Sequence, residues 1–215
     1  MDFTLQLDSG TGSSATFLSQ LFQFALLIIA LTLVHGLIVL PGIAWLFAGK
    51  SPARLLKQIA RPLMVAFSTS SSSATLPVTM STCNEELGIS TSVTSFVLPL
   101  GATMNMDGTA LFEAVAAIFL AYMFGIELTT TTIFVVFLMS MVASIGAPGM
   151  PSASMAGMQM VLLAVGIPLE AIAILLVIER PLDTIRTTVN VEGDIVGSLV
   201  VERFSRSGQT EFKEA

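Results

Sequence analysis

Charged side chains are scarce in this chain of 215 residues, where Asp, Glu, Lys and Arg together make up 11%. A soluble globular domain carries about 25% charged residues, so water is a poor candidate for the chain's only solvent. Apolar residues account for 53% of the sequence and the mean hydropathy is +0.86. This composition is typical of an integral membrane protein and argues against an ordinary soluble domain.

Cysteine and histidine each occur once, as Cys83 and His35. A single cysteine excludes an internal disulfide and a cysteine-rich metal site. His35 lies in an apolar segment with no second metal-binding side chain nearby, so we expect it to be a packed helix residue. The serine run that begins at Ser70 has no catalytic base beside it and no Gly-x-Ser-x-Gly turn, so we expect no hydrolase and no enzyme activity.

Residues 17–48 form the longest apolar stretch and contain no fully charged side chain. They exceed the roughly 20 residues that a helix needs to cross hydrocarbon, and they are too long for the core of a cleaved signal peptide. We therefore predict a transmembrane helix after a polar leader at 1–16. Basic residues cluster in 49–61 and near the C-terminus, which places both on the cytoplasmic side of a cell membrane, with 206–215 as a cytoplasmic tail.

The rest of the chain repeats one pattern twice. Segments 51–84 and 131–164 each consist of two short apolar arms around a small polar tip, which predicts hairpins that enter the membrane and return. Segments 91–123 and 168–202 are long enough to span, but Asn-apolar-acid-Gly-polar interrupts them at 105–109 and 190–194. We predict an all-α integral membrane fold with a long helix, then two inverted repeats of a re-entrant hairpin and a broken helix. Paired interruptions of this kind point to a transporter binding site.

Four ionisable residues and one asparagine in the last segment are spaced four, three, four and four apart, which places them on one stripe of a helix. Ionisable groups inside spans mark functional sites, and the apolar opposite faces disfavour a solvated helix. Arg186 could hold a carboxylate through two hydrogen bonds, and Asp183 could hold an ammonium group. Asp107 and Asp194 offer oxygen ligands for Na⁺. The stripe consists of Glu179, Asp183, Arg186, Asn190 and Asp194.

Four motifs, in order, resemble the glutamate-transporter family of dicarboxylate/amino-acid:cation symporters. They are SSSSATLPVTM at 70–80, LPLGATMNMDGTALFEA at 98–114, ASIGAPGMPSAS at 143–154 and DTIRTTVNVEGD at 183–194. The resemblance covers nearly the whole chain from residue 17, and it implies a mobile transport domain that carries substrate and sodium across the membrane. The implied substrate is glutamate, aspartate or a related dicarboxylate, with Arg186 favouring acidic substrates and Asp183 favouring amino acids.

The resemblance also implies roles for particular positions. The tip Ser70–Ser73 belongs to the inner hairpin, and Glu113 is a candidate for proton coupling. The implied substrate contacts are Ser71, Ser72, Thr109, Met150, Pro151, Ser154, Asp183, Arg186, Thr187 and Asn190. One implied sodium site consists of Gly101, Asn105, Asn190 and Asp194, a second uses carbonyls of Thr103, Ser144, Ile145 and Ala147, and a third involves Asn105 and Asp107.

Two departures from the family pattern bear on function. Many relatives carry a second arginine beside the inner serine run or after the aspartate that matches Asp183, and here Arg180 is the candidate to supply that charge. Family members are also considerably longer and form homotrimers, so we expect 17–205 to be a partial transport domain. A truncated, transport-incompetent fragment and a passive ion channel remain the alternatives. We expect lipid as a neighbour, Na⁺ as a co-transported ion with H⁺ as a candidate second one, no organic cofactor and no nucleic-acid partner.

Overall fold

The computed structural model describes the backbone of residues 11–214 and the side chains of residues 15–206. Within that range the chain is helical and contains no β-strand. Residues 1–10 of the predicted leader lie outside the described part. The first helix begins at Thr11 rather than at 17, because each residue added to an existing helix gains one hydrogen bond. The first segment consists of α1 (Thr11–Val34), a π-helical turn (His35–Val39) and α2 (Leu40–Ala48).

Two pairs of short helices pack against each other, as helical hairpins do. In the first pair, Ser70 adopts a left-handed φ of 50° and ends one helix, and Ser71 Oγ accepts a hydrogen bond from Ala74 N at 3.1 Å to begin the next. A serine oxygen at this position satisfies an otherwise unpaired amide of the first turn. The first pair consists of α4 (Ala60–Thr69) and α5 (Ser72–Glu85), and the short helix α3 (Pro52–Gln58) precedes it. The second pair consists of α8 (Thr130–Ile145) and α9 (Ser154–Ala164).

The segment between the two hairpins is broken where the sequence predicts an interruption. Asn105 and Met106 leave the helical region, with φ, ψ of −103°, 80° and −117°, 60°. This break exposes backbone groups at two helix ends in the middle of the protein. The flanking helices are α6 (Thr91–Met104) and α7 (Asp107–Met123).

The last segment is not broken, and the expected second interruption at 190–194 is wrong. After a single 3₁₀ turn, Leu169–Ala171, helix α10 runs without a gap from Ile172 to Glu214, through the predicted tail. Asparagine and glycine have low helix propensity, but tertiary contacts of α10 with the α6–α7 break outweigh this preference and keep the helix intact. A Cβ at Gly193 would lie 2.8 Å from Asn105 Nδ2, so the glycine lets α10 approach the α6–α7 break closely.

Helix α10 passes through two hydrophobic clusters. Leu182 belongs to the first cluster, with Phe112 of α7 and residues of α1, α8 and α9. Val189 belongs to the second cluster, with residues of α2 to α6. The stretch of α10 between Leu182 and Val189 therefore lies where the two halves of the protein meet, and both hairpins point their tips toward it.

The outer surface is apolar over much of its area. Phe22 of α1 and Trp45 and Leu46 of α2 are 63%, 64% and 72% exposed. Two stretches, Ala15–Ala48 and Thr91–Met123, are long and apolar enough to cross a membrane. Large exposed apolar faces are unusual on soluble monomers and are suited to contact with lipid or with further helices.

Candidate functional site

The tips of the two hairpins touch each other. Ser71 Oγ donates a hydrogen bond to the carbonyl oxygen of Gly149 at 2.6 Å, and Ser73 N donates to the same oxygen at 3.2 Å. A Cβ at position 149 would collide with the carbonyl oxygen of Ala102 and with Ser73 Oγ. Only glycine therefore allows the second tip to lie this close to the first tip and to α6.

Asn190 of α10 fastens the beginning of α7. Its Oδ1 accepts a hydrogen bond from Gly108 N at 2.8 Å, and its Nδ2 donates to Thr109 Oγ1 at 3.1 Å. Gly108 N also lies 3.0 Å from Asp107 Oδ1. The first amides of a helix have no partner within the helix, so these contacts supply one. They also fix the broken segment against α10.

Oxygen-bearing side chains gather behind the break. Asn105 Nδ2 donates to Asp194 Oδ1 at 3.0 Å, and a Cβ at Gly101 would collide with that same carboxylate. Gly193 brings Asn105 and Asp107 against α10. Among the residues whose side chains are described, no group of three or more His, Cys, Asp or Glu could hold a metal ion. The available ligands are amide, carboxylate and backbone oxygens, which are the ligands that unwound transporter helices offer to Na⁺.

His35 is more than the packed helix residue that we expected. Its Nε2 lies 2.6 Å from Asp107 Oδ2, and the two residues are 72 positions apart. The π-helical turn that begins at His35 sets where this ring points, and π-helical turns are frequent at functional sites. The histidine therefore belongs to the group of polar side chains around the break.

Two of the four residues of the implied carbonyl site, Ser144 and Ile145, line one open groove, and Thr103 and Ala147 do not. Ser144 lies in the last turn of α8, and its carbonyl oxygen accepts a hydrogen bond from Ala147 N at 3.2 Å. Ser144 and Ile145 line a groove of about 530 Å³ that Asn105 and Asp107 also line. Thr103 lies on the exposed side of α6, one residue from the Ala102 carbonyl that faces the second tip. The structure brings these carbonyl-bearing residues to the same region of the protein.

Arg186 lies at the centre of the site and is fully buried, with 0% of its surface exposed. Its Nη2 donates to Ser154 Oγ at 2.9 Å and to Glu179 Oε1 and Asp183 Oδ1 at 3.0 Å each. The guanidinium carbon lies 3.9 Å above the centre of the Phe112 ring, which fixes the plane of the group. Nε and Nη1 have no hydrogen-bond partner in the described part of the chain.

The second tip reaches the two acidic residues that flank Arg186. Ser152, with a left-handed φ of 60°, donates from its backbone N to Asp183 Oδ2 at 3.0 Å. Its Oγ donates to Glu179 Oε2 at 2.8 Å. Arg180 is largely exposed, and its Nη1 lies 3.6 Å from Asp183 Oδ2. The spacing placed Glu179 on the same stripe as Arg186, but no motif indicated that it would also contact the tip.

A small cavity of about 10 Å³ lies between the tips, α7 and α10. Such a volume holds about one water molecule, so the site is closed. Ser71, Pro151 and Arg186 do not line this cavity, and Arg186 lies behind Ser154 and Asp183. Of the implied substrate contacts, those that line it are Ser72, Thr109, Met150, Ser154, Asp183, Thr187 and Asn190.

Glu113 lies one residue beyond Phe112 and is completely buried. Neither of its carboxylate oxygens has a hydrogen-bond partner within the described residues. A Cβ at Gly157 of α9 would collide with Glu113 Oε1, so α9 packs directly on the carboxyl group. Arg186 is close enough to interact with it electrostatically. A buried carboxyl group of this kind inside a membrane protein is costly and is typical of a functional position.

Two hairpin tips and a broken helix that converge on buried charges define the class of secondary membrane transporters. Residues 4–204 match the model of the sodium:dicarboxylate symporter family, and the chain belongs to that family.

Several curated proteins resemble this chain. The chain is 42% identical over 186 residues to the putative sodium-dependent excitatory amino acid transporter glt-4 of Caenorhabditis elegans, covering 86% of this chain and 37% of the relative. It is 43% identical over 187 residues to human excitatory amino acid transporter 1 (87% and 34%) and 45% identical over 188 residues to human excitatory amino acid transporter 2 (87% and 33%). The chain thus spans about a third of the length of these curated relatives.

Proposed function

We propose that this chain carries the substrate and sodium sites of a sodium-coupled symporter of acidic amino acids, glutamate or aspartate. The observation that carries the proposal is Arg186, which is fully buried beside Asp183 and has two guanidinium nitrogens, Nε and Nη1, without a hydrogen-bond partner among the described residues. A buried charged donor without a partner is costly. The names of the relatives, which are excitatory amino acid transporters, support the same substrate class.

The chemistry of the site suits both ends of such a substrate. A side-chain carboxylate can take two parallel hydrogen bonds from Arg186, while Asp183 accepts from the ammonium group. The α-carboxylate then faces the tips, where the N-terminus of α5 begins at Ser72 and its backbone amides favour an anion. Substrate must enlarge the cavity of about 10 Å³ to enter, so the second tip has to move away from α10.

Sodium is proposed to bind behind the tips as a co-transported ion. Asn105, whose Nδ2 donates to Asp194 Oδ1 at 3.0 Å, and Asp194 supply side-chain oxygens for one site, together with Asn190 and the Gly101 carbonyl. Asp107 supplies another with Asn105, and the carbonyls at the end of α8 supply a third. Filling these sites favours the substrate-bound form only through a higher affinity for that form, so sodium and substrate must strengthen each other's binding reciprocally.

Helix lengths support hairpins that enter the membrane without crossing it. At 1.5 Å per residue, the four hairpin helices α4, α5, α8 and α9 extend about 15 to 24 Å, less than the roughly 30 Å of hydrocarbon. The basic residues between α2 and α4 and at the end of α10 favour the cytoplasmic side for the first hairpin and for the C-terminus. In this arrangement the second hairpin opens to the outside, and alternating access follows from movement of the whole domain.

Glu113 is proposed to carry a proton during the cycle. Its carboxyl group has no hydrogen-bond partner in the described residues, and it lies within electrostatic reach of Arg186. The variant Glu113→Gln should bind acidic substrate with an affinity that no longer depends on pH, because the amide cannot ionise. Unchanged pH dependence in that variant would rule out this role.

The test of the proposed function is isothermal titration of the purified chain in detergent with aspartate, glutamate and succinate, in sodium and in choline. We expect sodium-dependent binding of the two amino acids and weaker binding of succinate, which has no ammonium group for Asp183. Binding of succinate that equals or exceeds that of aspartate would contradict the assigned substrate. Binding that is equal in choline would contradict the sodium coupling.

A further inference from the structure

We propose that Glu179 is a positioning residue of this site, a latch that holds Arg186 and the second hairpin tip closed by occupying the guanidinium position that a substrate carboxylate must take. This inference rests on the proposed function. It goes beyond it because no motif or relative's name assigns a role to Glu179. The residue is 3% exposed and lies one turn before Asp183 on α10.

Both carboxylate oxygens of Glu179 accept hydrogen bonds, one from Arg186 of α10 and the other from Ser152 of the second hairpin tip. Oε1 accepts from Arg186 Nη2 at 3.0 Å, and Oε2 accepts from Ser152 Oγ at 2.8 Å. One carboxylate therefore ties the tip of the second hairpin to the central arginine. Charge-assisted hydrogen bonds of this kind are stronger than neutral ones, and burial strengthens them further.

The same tip also covers the acceptor for the ammonium group. Ser152 N donates to Asp183 Oδ2 at 3.0 Å while its Oγ is held by Glu179. Ser152 has a φ of 60°, which is unfavourable for a residue with a side chain. Its contacts with Glu179 and Asp183 offset this strain. The protein's own groups thus mimic both charged ends of an acidic amino acid: Glu179 replaces the carboxylate and Ser152 N–H replaces the ammonium group.

This arrangement predicts competition that depends on the charge of the substrate. Glu179 and Asp183 both pair with Nη2 of Arg186, so a substrate carboxylate that takes two parallel hydrogen bonds, one of them from Nη2, has to displace Glu179 from that nitrogen. Asparagine has nearly the same shape as aspartate, but its neutral side-chain amide does not compete with Glu179 as an anion. Glu179 therefore lowers the affinity for acidic substrates specifically and ensures that the tip opens when they bind.

The experiment compares wild type with Glu179→Gln, which keeps the shape and removes the charge. We expect sodium-dependent aspartate binding to become about tenfold tighter, a coupling of ordinary size between linked sites, with little change for asparagine. Glu170→Gln is the matched control, because Glu170 is exposed and precedes the same helix. Weaker binding of both ligands, together with a lower thermal midpoint, would show a merely structural role and overturn the proposal.

A second readout does not depend on substrate binding. Hydrogen–deuterium exchange of the amides in 148–156 should become faster in Glu179→Gln, which weakens the hydrogen bond from Ser152 Oγ by removing the charge of its acceptor, and in Ser152→Ala, which removes the donor of that bond. Unchanged exchange in both variants would overturn the latch. If wild type binds no acidic amino acid, the proposed function fails, and the exchange measurement still decides whether Glu179 holds the tip.

Discussion

Substituting Gly149 by alanine should separate the two hairpin tips. The added Cβ would lie 2.6 Å from Ser73 Oγ and even closer to the carbonyl oxygen of Ala102. Overpacking of this kind costs about 1–3 kcal/mol. Displacing the Gly149 carbonyl also weakens its hydrogen bonds from Ser71 Oγ and Ser73 N, each worth about 1 kcal/mol.

The combined effect should be a loss of about 3 kcal/mol, or about a hundredfold in the balance between closed and open tips. Gly146→Ala is the matched control in the same loop. The nearest atom to a Cβ there is the Ala143 carbonyl oxygen at 3.8 Å, and the backbone has an ordinary helical conformation. This control should leave the tips unchanged or slightly more stable, because alanine restricts the unfolded chain.

The assay is hydrogen–deuterium exchange of 70–75 and 146–153 in detergent. Gly149→Ala should speed exchange in both tips, since each tip loses its partner, while Gly146→Ala should not. Equal exchange in the two variants would refute the contact between the tips as the element that closes the site.

Three further perturbations test the contacts around the broken helix. Asn190→Ala should lower the free energy of unfolding by about 2–3 kcal/mol, since it leaves polar groups of the first turn of α7 without their partner, and a small effect in thermal unfolding would contradict this role. Phe112→Leu should weaken aspartate binding by a few fold with little loss of stability, because Arg186 loses the ring that fixes its plane; unchanged affinity would show that the stacking is incidental. A double-mutant cycle of His35→Ala and Asp107→Asn should give a coupling of about 1–3 kcal/mol, whereas additive effects would show that the pair does not interact energetically.

The sequence predicts much of this fold, but it does so unevenly. The break between α6 and α7 and the two hairpin tips can be predicted from local composition. At Asn105, for example, polar residues interrupt an apolar span. The same local pattern at Asn190 lies in an unbroken helix. The Asn190 side chain forms its hydrogen bonds with α7, and the backbone around it stays helical. Local pattern alone could not separate these two cases.

The candidate site was likewise predictable from the sequence only in part. The stripe on α10 follows from helical periodicity, and it includes Glu179 without indicating its partners. The pairing of His35 with Asp107 joins residues 72 positions apart, so no periodicity could reveal it. The closure of the second tip onto α10 depends on the left-handed conformation of Ser152, which the sequence does not indicate for a serine.

The most direct test of the central claim is aspartate binding to Arg186→Ala in sodium, compared with Arg61→Ala as a control on the exposed face of α4. Thermal unfolding of both variants establishes that they are folded. The proposed site predicts that Arg186→Ala loses aspartate binding while Arg61→Ala binds as wild type does. Undiminished, sodium-dependent aspartate binding in a folded Arg186→Ala variant would contradict the assignment of this site.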